Sequence, residues 1–98
     1  MSSVSFKKGE IKEQVQYLKD HKELNPEDYY EELKEKAKTF CCWTKIFILF
    51  EKSKNQKIIN EIFDNLIGKM TNGSEANIVR SFTKDPKLQE RVNNKFPQ

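Results

Sequence analysis

Long apolar runs are missing from this 98-residue chain: the longest, Ile46 to Phe50, is far shorter than the roughly 20 residues that span a bilayer. The opening MSSVSFKKGE likewise lacks the apolar centre of a secretory leader, so the expectation is an intracellular protein, cytoplasmic or nuclear, with no membrane partner. Glycine is scarce, and Gly9, Gly68 and Gly73 are too dispersed to form a phosphate-binding loop. With no Gly-Lys-Ser or Gly-Lys-Thr, nucleotide hydrolysis has no support. The single histidine, His21, has no companion at metal-ligand spacing and falls where a first helix should end, a site that favours an imidazolium for helix-dipole reasons. The two cysteines, Cys41 and Cys42, are neighbours and cannot close a stabilising loop, which fits a reducing compartment. Cys42 reads as core and Cys41 as a surface thiol. No metal, cofactor or catalytic residue is therefore expected, and the chain is read as a non-enzyme.

Charge of either sign is plentiful, at 34% of residues against 36% apolar, so the core should be small and concentrated in a few segments. The net charge of +3 arises in the second half, since Lys and acids balance in residues 1–49. That is a mild bias for a nucleic-acid binder.

Periodicity reads as helix throughout. Residues 7–22 carry a narrow stripe of Ile11, Val15 and Leu18. Asn25-Pro26-Glu27-Asp28 opens a second helix, with Asn as cap, Pro at the first position and two acids against the dipole. Tyr29, Tyr30, Leu33, Ala37 and Phe40 share its apolar arc. Residues 39–52, TFCCWTKIFILFEK, form a third in which Phe40, Cys42, Trp43, Ile46, Phe47, Leu49 and Phe50 cover half the circumference. Because that arc is rotated from the arc of the second helix, a break is expected near Lys38 to Phe40, with Thr39 as N-cap. The alternative makes residues 46–50 a buried strand, for which Val4 to Phe6 would be one of few partners.

Residues 54–70 give the cleanest amphipathic helix, with Ile58, Ile59, Ile62, Phe63, Leu66, Ile67 and Met70 on one side. Asn72-Gly73-Ser74 matches a glycosylation sequon but has a plainer structural use: a left-handed helix-ending residue followed by a new cap. A fifth helix over about 75–83 places Ile78, Val79 and Phe82 inward, and Asp85-Pro86 opens a short sixth with Leu88 and Val92 inward. The expected fold is all-α, a compact bundle of five or six short helices in a single domain over 1–98, with flexible ends at 1–6 and 95–98. The openings Leu24-Asn25-Pro26-Glu27-Asp28-Tyr29 and Gly73-Ser74-Glu75-Ala76 resemble, in architecture alone, those of death-fold caspase-recruitment modules. The segment 39–52 departs from that pattern.

Ile48 and Cys41 stand out functionally, since they lie on the polar side of the third helix with no internal reason to be apolar. The reading is a protein–protein interaction module, an adaptor or small subunit of a larger assembly. It would dock through Cys41, Lys45, Ile48 and Lys52 onto another protein or a second copy of itself. A first alternative is association with nucleic acid, with Lys54, Lys57, Lys87, Arg91 and Lys95 as candidate phosphate contacts. A second is carriage of a small apolar ligand in the core of the third and fourth helices.

Overall fold

The computed structural model describes residues 10–97. Within them the chain is all-α: six α-helices and one 3-10 turn, with no strand. Residues 46–50 are helical, which resolves the helix-or-strand alternative. Residues 1–9, and with them the 1–6 end, the Val4 to Phe6 segment and the first turn expected at 7–9, lie outside the described residues. Backbone contacts cluster into two units divided after Lys54.

In the first unit, α1 (Ile11–Asp20) buries the expected Ile11, Val15 and Leu18 and, in addition, Gln14. Asn25 caps as expected: its side chain accepts from the Glu27 N–H at 3.1 Å. The turn that follows, Pro26–Tyr29, is 3-10 rather than α, tightened by the Asp28 N–H on the Asn25 carbonyl at 3.0 Å. Only then does α2 (Tyr30–Lys36) begin, burying Tyr30 and Leu33. The break falls where the offset of the two apolar arcs requires it. Ala37 is extended, and the Thr39 hydroxyl accepts from the Cys42 N–H at 3.4 Å to start α3 (Phe40–Phe50). Phe40, Trp43, Ile46, Phe47 and Phe50 are buried along α3, and the Tyr30 ring meets Phe50 edge-on at 5.4 Å.

In the second unit, α4 (Gln56–Lys69) starts on Asn55, whose side chain accepts from the Ile58 N–H at 3.3 Å. It buries Ile62, Phe63, Leu66 and Ile67, with Met70 buried just beyond its end. Helix α5 (Gly73–Phe82) corrects two expectations. Gly73 is not a left-handed helix end, and no described residue has positive φ; Gly73 is instead the first residue of α5, capped by Asn72 accepting from the Glu75 N–H at 2.9 Å. Glu75 reaches back to the Thr71 N–H at 2.8 Å, so the turn is closed by side chains and needs no left-handed residue. Ile78 is not inward: it is 41% exposed, and the stripe runs through Ala76 and Val79, both fully buried. At 100° per residue Ile78 lies more than a quarter turn from either, so a small Ala takes the inward place. Helix α6 (Pro86–Lys95) opens as expected on Asp85, which accepts from the Lys87 N–H at 2.9 Å, and buries Val92. Arg80 ties α5 to α6, donating to Asn93 Oδ1 at 2.7 Å and to the Phe96 carbonyl.

Candidate docking site

The burial of Phe40, Trp43, Ile46, Phe47 and Phe50 fixes the rotation of α3, and thereby the side it turns away from the core. Cys41 and Ile48 lie on that side, Ile48 at 48% exposure, and Lys45 between them is half-buried. Lys52 is exposed in the turn after the helix. The neighbouring wall is α1, which packs against α3 through its buried Ile11, Val15 and Leu18.

The crease between α1 and α3 holds three hollows in register. The first, about 400 Å³, is lined by Ile11 and Lys12 of α1, Cys41, Cys42 and Lys45 of α3, and by Glu10 and Lys36. The second, about 420 Å³, shares Lys12 and Lys45 with the first and adds Glu13, Val15, Gln16 and Lys19. The third, about 300 Å³, shares Lys19 and continues along Leu18, Lys22, Leu24, Pro26, Ile48 and Leu49. Lys52 lines an adjoining hollow that shares Pro26 and Leu49 with the third. Low residue numbers of α1 thus face low numbers of α3, so the two helices run in the same direction. From Cys41 to Leu49 the crease is about 12 Å long at the helical rise per residue.

Its electrostatics are one-sided. Five lysines, 12, 19, 22, 36 and 45, border the hollows against two glutamates, 10 and 13. Both glutamates belong to the capping box that opens α1, in which the Glu10 N–H donates to Glu13 Oε1 at 3.0 Å. Lys12, Lys19, Lys22 and Lys45 form no ion pair among the described residues. Burial pushes the Cys42 thiol up, but the Thr39 hydroxyl, 3.3 Å from Sγ, backbone hydrogen bonds at Thr39 and Lys38 and the Lys45 charge outweigh it. The net shift is downward.

The basic residues that follow α3 are used differently. Lys54, Lys57 and Lys87 are exposed. Arg91 pairs with Asp64 at 2.8 Å, and the Lys95 ammonium donates to the carbonyls of Ile67 and Gly68 at 2.9 Å each, satisfying the end of α4. His21 ends α1 as expected, its Nδ1 at 2.8 Å from the Tyr17 carbonyl and its ring stacked on Tyr17 at 4.0 Å.

Of the docking residues named from the sequence, Cys41, Lys45 and Ile48 line the α3 side of the crease, and none was named on the α1 side. The available signal was Lys12, Lys19 and Lys22, spaced i, i+7, i+10 beside the stripe of Ile11, Val15 and Leu18. Set against protein-family models, curated proteins and solved structures, the chain matches none. Among the described residues no helix is long and apolar enough to cross a membrane.

Proposed function

We propose that this protein is a non-catalytic interaction module, an adaptor or a small subunit of an assembly, that docks another protein on the outer side of α3. One observation carries the reading: Ile48, at 48% exposure, opens into a hollow walled by Leu18, Leu24, Pro26 and Leu49. A large side chain exposed among other apolar groups gains most from a partner that covers it. Cys41 and Lys45 extend the same crease toward the start of α3, and Lys52 borders its other end. Both cysteines are free thiols, in keeping with a reducing cytoplasmic or nuclear setting. The phosphate-binding reading gains nothing comparable, because Arg91 and Lys95 are already engaged inside the second unit.

The test is Ile48→Asp in a pull-down from the native host, with the melting curve of the same variant as control. A specific partner retained by the wild-type chain and lost by a normally folded variant is the expected result. Retention of every partner by the folded variant overturns the reading.

A further inference from the structure

Resting on that docking reading, we infer what the crease takes: an amphipathic helix of another protein, about three turns long, whose apolar stripe is flanked by acidic residues. The length follows from the crease. Three hollows in line over about 12 Å match apolar anchors at i, i+3 or i+4 and i+7 of a single helix. Each holds at least one aliphatic side chain, Ile11 in the first, Val15 in the second and Leu18, Ile48 and Leu49 in the third, so the anchors are apolar as well.

The sign follows from the rims. Among the described residues Lys12, Lys19, Lys22 and Lys45 form no ion pair, whereas the two glutamates of the crease are held in the cap of α1. Acidic flanks on the bound helix would meet that potential, and complementary rim charge acts chiefly on the rate of encounter and the choice of partner. A basic flank would meet uncompensated like charge.

Other occupants fit less well. The residues that line the hollows include no aromatic side chain on which a nucleic-acid base could stack. A second copy of this chain carries an acidic helix in α2, with Glu31 and Glu35 exposed, but the apolar residues of that helix, Tyr30 and Leu33, are buried in its own unit. It has acids to offer and no anchors.

The experiment uses three synthetic helical peptides with one Leu stripe and with Glu, Gln or Lys at the flanking positions, titrated into the isotope-labelled full chain. Amide shifts in α1 and α3 locate binding. The Glu peptide is expected to bind in the crease at least about tenfold more tightly than the Lys peptide at low salt, from several exposed pairs acting together. The advantage should shrink as salt rises. Reversal of Lys12, Lys19 and Lys45 to Glu in one variant should transfer the preference to the Lys peptide, an outcome that damage to the fold cannot imitate.

Equal binding of all three peptides in the crease overturns the acidic flank and leaves the docking reading standing. So does failure of every peptide while Ile48→Asp still loses its host partner. Shifts confined to α4, α5 and α6, tighter binding of a single-stranded RNA at the same lysines, or self-association that excludes the peptides would each overturn the inference.

Discussion

Two isoleucines are exposed on this chain, Ile48 on α3 at 48% and Ile78 on α5 at 41%, and their surroundings separate them. Ile48 stands among Leu18, Leu24, Pro26 and Leu49, beside Lys19 and Lys22, which form no ion pair among the described residues. Ile78 follows exposed Asn77, and its carbonyl accepts from the Ser81 hydroxyl at 2.6 Å in a polar stretch of helix. The same division runs through the cations. In the first unit Lys12, Lys19, Lys22 and Lys45 project beside apolar hollows, whereas in the second Arg80, Arg91 and Lys95 close helix ends and hold helices together. Exposure of one apolar side chain is ordinary; exposure within a crease bordered by five lysines and two glutamates is the contrast on which the docking proposal rests.

The largest effect should come from the opposite face of α3. Phe50 is 1% exposed and meets Tyr30 edge-on, so Phe50→Ala should destabilise the fold by about 3 to 5 kcal/mol, read from chemical denaturation. Ile48→Asp, only two residues away, should shift the same transition by no more than about 1 kcal/mol while removing partner capture. If the two variants destabilise equally, α3 has no outer side and the contrast between core and crease fails.

Cap variants sharpen the comparison of the units at about 1 kcal/mol each. Thr39→Ala should lower stability by that amount in the first unit and Asn72→Ala likewise in the second, since both side chains satisfy a free helix N–H. Lys95→Met should behave as they do, because its ammonium holds two carbonyls at the end of α4, whereas Lys45→Met should leave the melt unchanged. A Lys45→Met variant as destabilised as Lys95→Met would show that the crease lysines are structural.

What the sequence disclosed and what it hid follow one physical line. Thr39 was legible as a break because two apolar arcs on neighbouring segments pointed in different directions, and Ile48 because it was stranded on a polar arc. Both are properties of local sequence. The α1 wall was not legible, because Lys12 and Lys19 come to line a crease only when α3 lies beside them. The balance of Lys and acids in residues 1–49 concealed a local excess that the fold creates by placing Glu31 and Glu35 on α2, outside the lining of the three hollows. Ile78 was misplaced because hydrophobicity outranked position: Ala76 is less apolar, yet it occupies the inward angle. At Asn72 the side-chain cap was available in the spacing Asn-x-x-Glu, and the glycine between drew attention to a turn that is not there.

The start of α3 also sets the chemistry of the Cys42 thiol. In a Cys41→Ser variant, alkylation of Cys42 should reach its half-maximal rate at a pH below that of an ordinary cysteine, because the thiolate is the reacting form and Thr39 and Lys45 favour it. Thr39→Val should move that midpoint upward. The sign for stability follows: a thiol depressed by folding contributes stability above its unfolded pKa, and that contribution is lost as pH falls through the folded value. A midpoint above that of an ordinary cysteine would mean that burial, which acts in the opposite direction, dominates at Cys42.

The smallest expected effect is the most discriminating for the two isoleucines. Ile78→Asn should change stability by no more than about 0.5 kcal/mol, since the side chain lies on the exposed face of α5 beside Asn77 and Ser81. It should leave partner capture and binding of the acidic peptide at wild-type levels. Thermal melts, pull-down and peptide titration of Ile78→Asn and Ile48→Asp in parallel check both statements. Should Ile78→Asn remove the partner as Ile48→Asp is expected to, the docking surface would include α5, and neither the apolar hollow nor the unpaired lysines would be what marks it.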